Sequence, residues 1–195
     1  MHSTRPYRHG NLPVALVAAA RQILDENDFE AVGLRETARR VGVSATAAYR
    51  HFTSKGDLLA AVAAEGFREL GAAMERETRG PDPLTRAGQA YVEFAQQNRG
   101  LFRLMFGPLL AERAKYQGLK AAADVVADVL LRNVADVDQR PLDRNTAAIA
   151  AWGLVHGLSH LFVDGFVPAS RAPVLAEEIL VKTRLPTPSP TEAPR

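Results

Sequence analysis

The stretch LRETARRVGVSATAAYRHFTSKGDLL, Leu34 to Leu59, constrains the fold more than any other part of this chain. It holds two short helical segments with only Gly-Val-Ser between them. The first runs from about Leu34 to Val41, where Gly42 breaks it. Ser44 can cap the second, from Ala45 to about His51. So tight a turn forces the helices to cross closely, and Ala38 is small where they must meet. Val43 can plug the gap beneath the turn. The arrangement is that of a helix-turn-helix, although an ordinary hairpin in a helical bundle would carry the same turn. Ser54-Lys55-Gly56-Asp57 then reads as a capping box. It opens a longer helix whose buried stripe is Leu58, Val62, Phe67, Leu70 and Met74.

The rest of the chain points to an all-α fold. Apolar residues recur at helical spacing, and no segment alternates like a strand for long. Residues 1–10 are polar and basic and read as a flexible arm. Asn11 can cap a first helix, with Pro13 in its first turn, and Leu12, Leu16, Ala19 and Ile23 form its stripe. Asn27-Asp28 is a stop that suits the left-handed conformation. Gly80-Pro81-Asp82-Pro83 is the clear internal break. Beyond it, helices are expected near 84–98, 99–106, 108–115, 118–136, 143–164 and 172–183. Residues 186–195 contain four prolines and no large apolar side chain, and read as a disordered tail. The expected organisation is an arm (1–10), a helix-turn-helix domain (11–53), a connecting helix (54–80), a larger helical domain (81–185) and the tail.

Charge adds a location. Of 195 residues, 24 are Lys or Arg and 22 are Asp or Glu, a net charge of only +2. Yet within 35–55, Arg35, Arg39, Arg40, Arg50 and Lys55 face Glu36 alone. A basic patch on a short helical segment meets the requirement for phosphate binding; a solvated helix face has the same composition. The chain has no cysteine, which excludes disulfides and thiolate metal sites and suits a reducing cytoplasm. No basic-then-apolar leader is seen at its start. The apolar run Ala147 to Val163 is interrupted by Gly153, His156, Gly157, Ser159 and His160, and reads as a buried helix in preference to a membrane span.

Tyr49-Arg50-His51-Phe52-x-x-Lys55, together with the helix before it and the Leu58-Leu59 entry to the next, closely resembles the DNA-binding head of tetracycline-repressor (TetR) regulators over about residues 8–60. Asp28 stands where that family usually has glycine, and Thr37 where it has an aliphatic residue. The resemblance implies that the second short helix lies in the major groove. Tyr49, His51 and Lys55 would then hold phosphates and fix register. Arg35 would reach a phosphate or a guanine edge. Ala45, Thr46, Ala47 and Arg50 would face the bases, and Ser44, at the cap of that helix, is counted with the DNA-binding residues. This is a thin reading head, so specificity would lean on Arg50, Arg35, the arm residues Arg5 and Arg8, and DNA shape. For at least one of Arg39 and Arg40, a solvated helix face is the favoured reading.

Trp152-x-x-x-His156-Gly157-Leu158 and Leu101-Phe102-Arg103-Leu104-Met105-Phe106-Gly107-Pro108 are similar to a C-terminal subtype of that family named for Trp-His-Gly. That similarity implies a small-molecule pocket within one subunit, with Tyr91, Phe94, Phe102, Met105, Phe106, Tyr116, Trp152 and His156 to line it. Each of these, taken singly, is equally a core residue. As a set they favour an apolar or aromatic effector. The family dimerises by setting a helix pair against its twofold mate, which here implies a homodimer through the helices near 118–136 and 143–164. Gly153 and Gly157 would permit close approach. Two heads would then meet a palindromic operator about 34–36 Å apart.

No cofactor is expected. His156, His160 and Asp164 share a face at i, i+4 and i+8, but span about 12 Å at about 1.5 Å per residue. They cannot all hold one ion, and the expectation is packing or hydrogen bonding and no metal. No phosphate-cradling, nucleophile-elbow or zinc-protease motif is present, which argues against an enzyme. A DNA-binding or adaptor module without a ligand is the other alternative. The expected function is a repressor that a small effector releases from its operator, with the long helix 54–78 carrying the shift to the heads.

Overall fold

The computed structural model of the protein describes residues 11–27, 29–108, 113–134 and 143–182. Among them all regular structure is helical: α1 (Leu12–Glu26), α2 (Leu34–Val41), α3 (Ala45–Tyr49), α4 (Lys55–Glu77), α5 (Pro83–Gln97), α6 (Arg99–Phe106), α7 (Gln117–Asn133), α8 (Arg144–Val163) and α9 (Ala172–Lys182), with short 3₁₀ turns at Phe29–Ala31, Arg113–Lys115 and Ala169–Arg171. The all-α expectation holds. The expected arm and tail, and residues 109–112 of the helix expected over 108–115, lie outside the described residues; Arg113–Lys115 is a 3₁₀ turn.

Helix ends follow local chemistry, with two departures. Asn11 precedes α1 without a side-chain cap bond, and a proline in the first turn removes a donor there instead. At the other end Asn27 is extended, not left-handed; its backbone and side-chain N–H groups both return to the Ile23 carbonyl, at 3.0 and 3.3 Å. The two bonds to one acceptor close the helix with Asn27 extended; Asp28, the other half of the expected stop, lies outside the described residues. Where a cap is made, it is complete. The Asp143 carboxylate accepts from the N–H groups of Asn145 and Thr146, at 2.9 and 3.1 Å, and opens α8.

The chain forms two compact units. One contains the residues up to Phe67 together with Gly100–Ala122; the other contains Arg68–Arg99 together with the residues from Ala123 onward. The division therefore runs inside α4 and α7, where the sequence reading set its boundaries at 53 and 80. In the first unit α1, α2 and α3 pack mutually. Leu16, Ile23, Leu34, Ala38, Ala48, Leu58 and Val62 form its core. Gly66 lets α6 approach α4 closely: a Cβ there would stand 2.7 Å from both Leu101 and Met105.

In the second unit α8 and α9 pack on α5, around buried Tyr91, Val155, Phe162 and Leu180. Gly88 sits at that crossing, where an added Cβ would lie 3.1 Å from Val155 and 3.2 Å from Leu180. The sequence reading paired α7 with α8. In the contacts described, α7 meets the C-terminal part of α4, through Val125 at Gly71 and through an Arg132–Glu75 ion pair of 2.7 Å. Helix α8 is long and apolar enough to cross a membrane by length and composition, with a mean hydropathy of 1.4. Its packing on α5 and α9 makes it a core helix of this fold. The predicted stripe of α4 (Leu58, Val62, Phe67, Leu70 and Met74) is buried throughout.

Candidate functional site

The turn between α2 and α3 is built from three backbone decisions. Gly42 takes φ +79°, a left-handed conformation that suits a residue without Cβ. Its N–H bonds to the Arg39 carbonyl at 3.2 Å, and that of Val43 to the Ala38 carbonyl at 3.0 Å, so two of the carbonyls in the last turn of α2 are satisfied. Ser44 then extends, and its hydroxyl accepts from the Ala47 N–H at 3.2 Å. Ala48 is fully buried beneath this turn and Val43 half-buried. Helix α3 ends at Tyr49, two residues earlier than expected, and Arg50 and His51 continue as a turn.

The consequence is a polar outer face. Ser44, Thr46, Tyr49, Arg50 and His51 are exposed, with Tyr49 at 47%, while Ala45 and Ala47 are half-buried. Arg35 is exposed at the start of α2. Thr37 is fully buried where an aliphatic residue was the family's norm; its hydroxyl donates to the Gly33 carbonyl at 2.8 Å, so the polar group is satisfied.

The cations of the patch divide by their partners. Arg35 and Arg50 make no ion pair among the described residues. Arg39 forks onto Glu36 with two bonds of 2.7 Å. Arg40 bonds the same carboxylate at 3.2 Å and reaches Glu26 on α1 at 2.7 Å. These guanidinium groups, Arg39 first and then Arg40, hold the Glu36 carboxyl down at about 2. The Glu36 pairs were readable from i,i+3 and i,i+4 spacing. The Glu26 contact joins residues 14 apart on different helices and has no local signal.

Lys55 is half-buried, and its ammonium donates to the Glu30 carbonyl at 2.8 Å. It therefore ties the turn after α1 to the start of α4, a role the sequence reading did not give it. The capping box is present as expected. Asp57 N–H donates to the Ser54 hydroxyl at 3.1 Å, and Ser54 N–H returns a bond to the Asp57 carboxylate at 2.9 Å. The Thr53 hydroxyl also donates to that carboxylate. That bond, followed by those from Ser54, lowers the Asp57 pKa against the opposing effect of burial.

The residues expected to line one pocket fall in different units. Phe102, Met105, Phe106 and Tyr116 belong to the first. Phe102 and Met105 are fully buried, and the Phe106 ring sits 4.9 Å from Phe102 and 5.2 Å from Phe67. The Tyr116 hydroxyl lies over the first turn of α4, where a Cβ on Gly56 would stand only 2.8 Å away. Tyr91, Phe94, Trp152 and His156 belong to the second unit. There the fully buried Tyr91 hydroxyl bonds His156 Nδ1 at 2.9 Å and accepts from the Trp152 indole at 3.3 Å. His156 stacks edge-on with His160 at 4.7 Å, and His160 pairs with Asp164 at 3.4 Å. The Tyr91–His156–Trp152 link joins residues more than sixty apart, and spacing alone did not reveal it.

The second unit also holds a groove of about 580 Å³ between α4 and α5, whose lining includes Arg76, Glu77, Arg86, Glu93 and Phe94. Phe94 alone among the expected pocket residues lines it. Gly153 and Gly157 have nothing within 4 Å of a would-be Cβ, so the close approach expected of them is not made within the described chain. They share an open face of α8 with Ile149 (66% exposed), Trp152 and Leu161. No cluster of three or more His, Cys, Asp or Glu suited to a metal occurs among the described residues.

Comparison with known proteins fixes the context of this geometry. Residues 16–62 match the model of bacterial regulatory proteins of the tetR family, and residues 84–181 match that of the tetracyclin repressor-like C-terminal domain. The Trp-His-Gly subtype stays a resemblance. The chain is 29% identical over 153 residues to the HTH-type transcriptional activator FasR of Mycolicibacterium smegmatis, covering 72% of this chain and 65% of that protein; it thus spans just under two thirds of that relative's length. A Rhodococcus sp. RHA1 protein of unknown function is 29% identical with a TM-score of 0.76, over 92% of this chain and 98% of that one. A TetR/AcrR-family regulator from Thermobifida fusca shares the fold at 18% identity, with a TM-score of 0.68 over 88% and 97% of the two chains. The α2–α3 turn lies inside the first matched segment and the Tyr91–His156 pair inside the second; the chain belongs to the TetR family of DNA-binding transcriptional regulators.

Proposed function

We propose that the protein is a cytoplasmic, dimeric repressor that leaves a palindromic operator when a small apolar or aromatic effector binds its second unit. The observation that carries the reading is the outer face of α3. Ser44 is spent on the cap and Ala48 on the core, which leaves Thr46, Tyr49, Arg50 and His51 exposed together, with Arg35 on α2. Tyr49, His51 and Lys55 hold phosphates; Ala45, Thr46, Ala47, Arg50 and Arg35 meet base edges. Lys55 does so with the N–H groups its bond to Glu30 leaves over. The exposed Ile149-Trp152-Gly153-Gly157-Leu161 face of α8 supports the dimer, because glycines with open space above them admit a second helix closely. Helix α4 contributes to both units, so covalent continuity gives the effector a path to the head. Differential affinity for the released state supplies the driving force.

Activation is the second reading, favoured by one observation: the curated relative is a transcriptional activator. A footprint of the purified protein on its own upstream DNA at stated salt tests the core of the proposal, and a protected palindrome is expected. A promoter fusion then separates the two signs, with transcription rising on deletion of a repressor and falling on loss of an activator. Lys55→Ala is expected to weaken binding to all sequences, and Arg50→Ala to change sequence preference. Equal loss of preference from both would overturn the assignment of roles.

A further inference from the structure

We propose that Glu36, with Glu26 behind it, is a charge latch that withholds Arg39 and Arg40 from DNA and so keeps sequence-independent binding weak. The inference rests on the DNA-binding reading of the head. Arg39 lies one helical turn from Arg35, so the two positions share one side of α2. Arg35 makes no ion pair among the described residues, whereas Arg39 is turned onto Glu36 by a fork of two 2.7 Å bonds. The other cation of the pair is held twice. Arg40 bonds Glu36 at 3.2 Å and Glu26 at 2.7 Å, and it is only about a quarter exposed.

A patch that reads in sequence as five cations against one carboxylate therefore presents fewer charges to a phosphate. A forked guanidinium–carboxylate pair has used the geometry that recognises phosphate. Phosphate neutralisation supplies essentially all of non-specific affinity. Specificity is the ratio of operator to non-operator binding, so withholding two arginines that read no base sharpens that ratio.

The test measures binding of the full-length protein to a random-sequence duplex across a salt series, for the wild type and for Glu36→Gln, Arg39→Ala and Arg39→Ala/Glu36→Gln. Freeing Arg39 adds one phosphate contact. It is expected to steepen the slope of log K against log salt by about 0.9, so that the gain over wild type grows about eightfold for each tenfold drop in salt. Arg39→Ala in the wild-type background is expected to change this slope little, because that arginine is already engaged. In the Glu36→Gln background it is expected to abolish the gain, because Arg40 keeps its 2.7 Å bond to Glu26 there. A gain that survives in the double variant means that removing a negative charge acts at long range, and the latch is wrong. A loss from Arg39→Ala alone as large as in the Glu36→Gln background means Arg39 leaves Glu36 on meeting DNA, which also overturns it. Absence of wild-type binding at low salt is a different result, and sinks the DNA-binding reading itself.

Discussion

The two units are held together at different distances along the chain. In the helix-turn-helix head of the first, the turn and cap contacts are short in sequence: Ser44 to Ala47, Asp57 to Ser54, Glu36 to Arg39 and Arg40. In the second, the buried polar contact ties Tyr91 on α5 to His156 and Trp152 on α8, and Gly88 meets Val155 and Leu180 across three helices. That head is thus specified turn by turn, while α6 reaches α4 of the same unit only through long-range contacts at Gly66 and Phe67. The second is specified by shape, through side chains that meet only when α5, α8 and α9 are all in place. Local rules place a helix end to within a residue or two, but cannot say which buried aromatic faces which.

The largest expected effect tests the shape-specified unit. Phe162 is almost fully buried at the end of α8. Phe162→Ala is expected to cost about 3–5 kcal/mol, the range for truncating a buried aromatic, read as a lower midpoint in urea with the head's DNA contacts chemically unaltered. A cost below about 1 kcal/mol would mean that this core is loosely packed and that the contrast between units is misdrawn.

A smaller effect is expected where the first unit depends on one backbone angle. Gly42→Val places a branched side chain at φ +79°, a conformation costing about 1–3 kcal/mol for residues that resist it. The loss should fall on DNA binding before global stability, because the strain sits in the turn that sets α3 against α2. Ser44→Ala removes the cap on α3, for about 0.5–2 kcal/mol. Hydrogen exchange of α3 amides would locate either effect. Unchanged protection there, with loss elsewhere, would break the assignment.

That contrast also explains what was legible beforehand. The head was readable because each of its devices is a short pattern: glycine at the left-handed position, serine before a helix, a Ser-x-x-Asp box. Where the pattern misled, a competing local bond had won. Asn27 closes α1 by returning two donors to Ile23 while extended, not left-handed. Arg39 and Arg40 were read as free charge or solvated face because their carboxylates were counted as one, and Glu26 approaches from another helix. In the second unit the aromatic residues were identified but their grouping was not. Phe102, Met105, Phe106 and Tyr116 belong with the head, and Tyr91, Trp152 and His156 with α5 and α8. Only tertiary contact sorts them, since all but Tyr116 lie on helices and helical spacing does not say which neighbour each one meets.

The smallest expected effect sets the two units against each other through pH. In the folded protein Glu36 is lowered from 4.5 to about 2, by Arg39 first and Arg40 second. In the second unit Asp143 is also lowered, chiefly by the Thr146 hydroxyl at 2.7 Å and the helix N–H groups it caps. A carboxyl whose folded pKa lies below its unfolded value stabilises the fold only when ionised. The contribution of Glu36 is therefore complete above about pH 4.5 and is lost as pH falls toward 2. That of Asp143 is complete above 3.8, its unshifted value, and is lost below it. Asp143 is exposed and Glu36 half-buried at the surface, so salt screens the effect. Thermal unfolding followed from pH 6 to pH 2 at low salt should show a falling midpoint through this window. Glu36→Gln should flatten the part that begins near 4.5, while Asp143→Asn flattens only the part below 3.8. If Glu36→Gln leaves the profile unchanged, its ion pairs do not hold α2 in solution, and the short-range polar account of the first unit loses its strongest case.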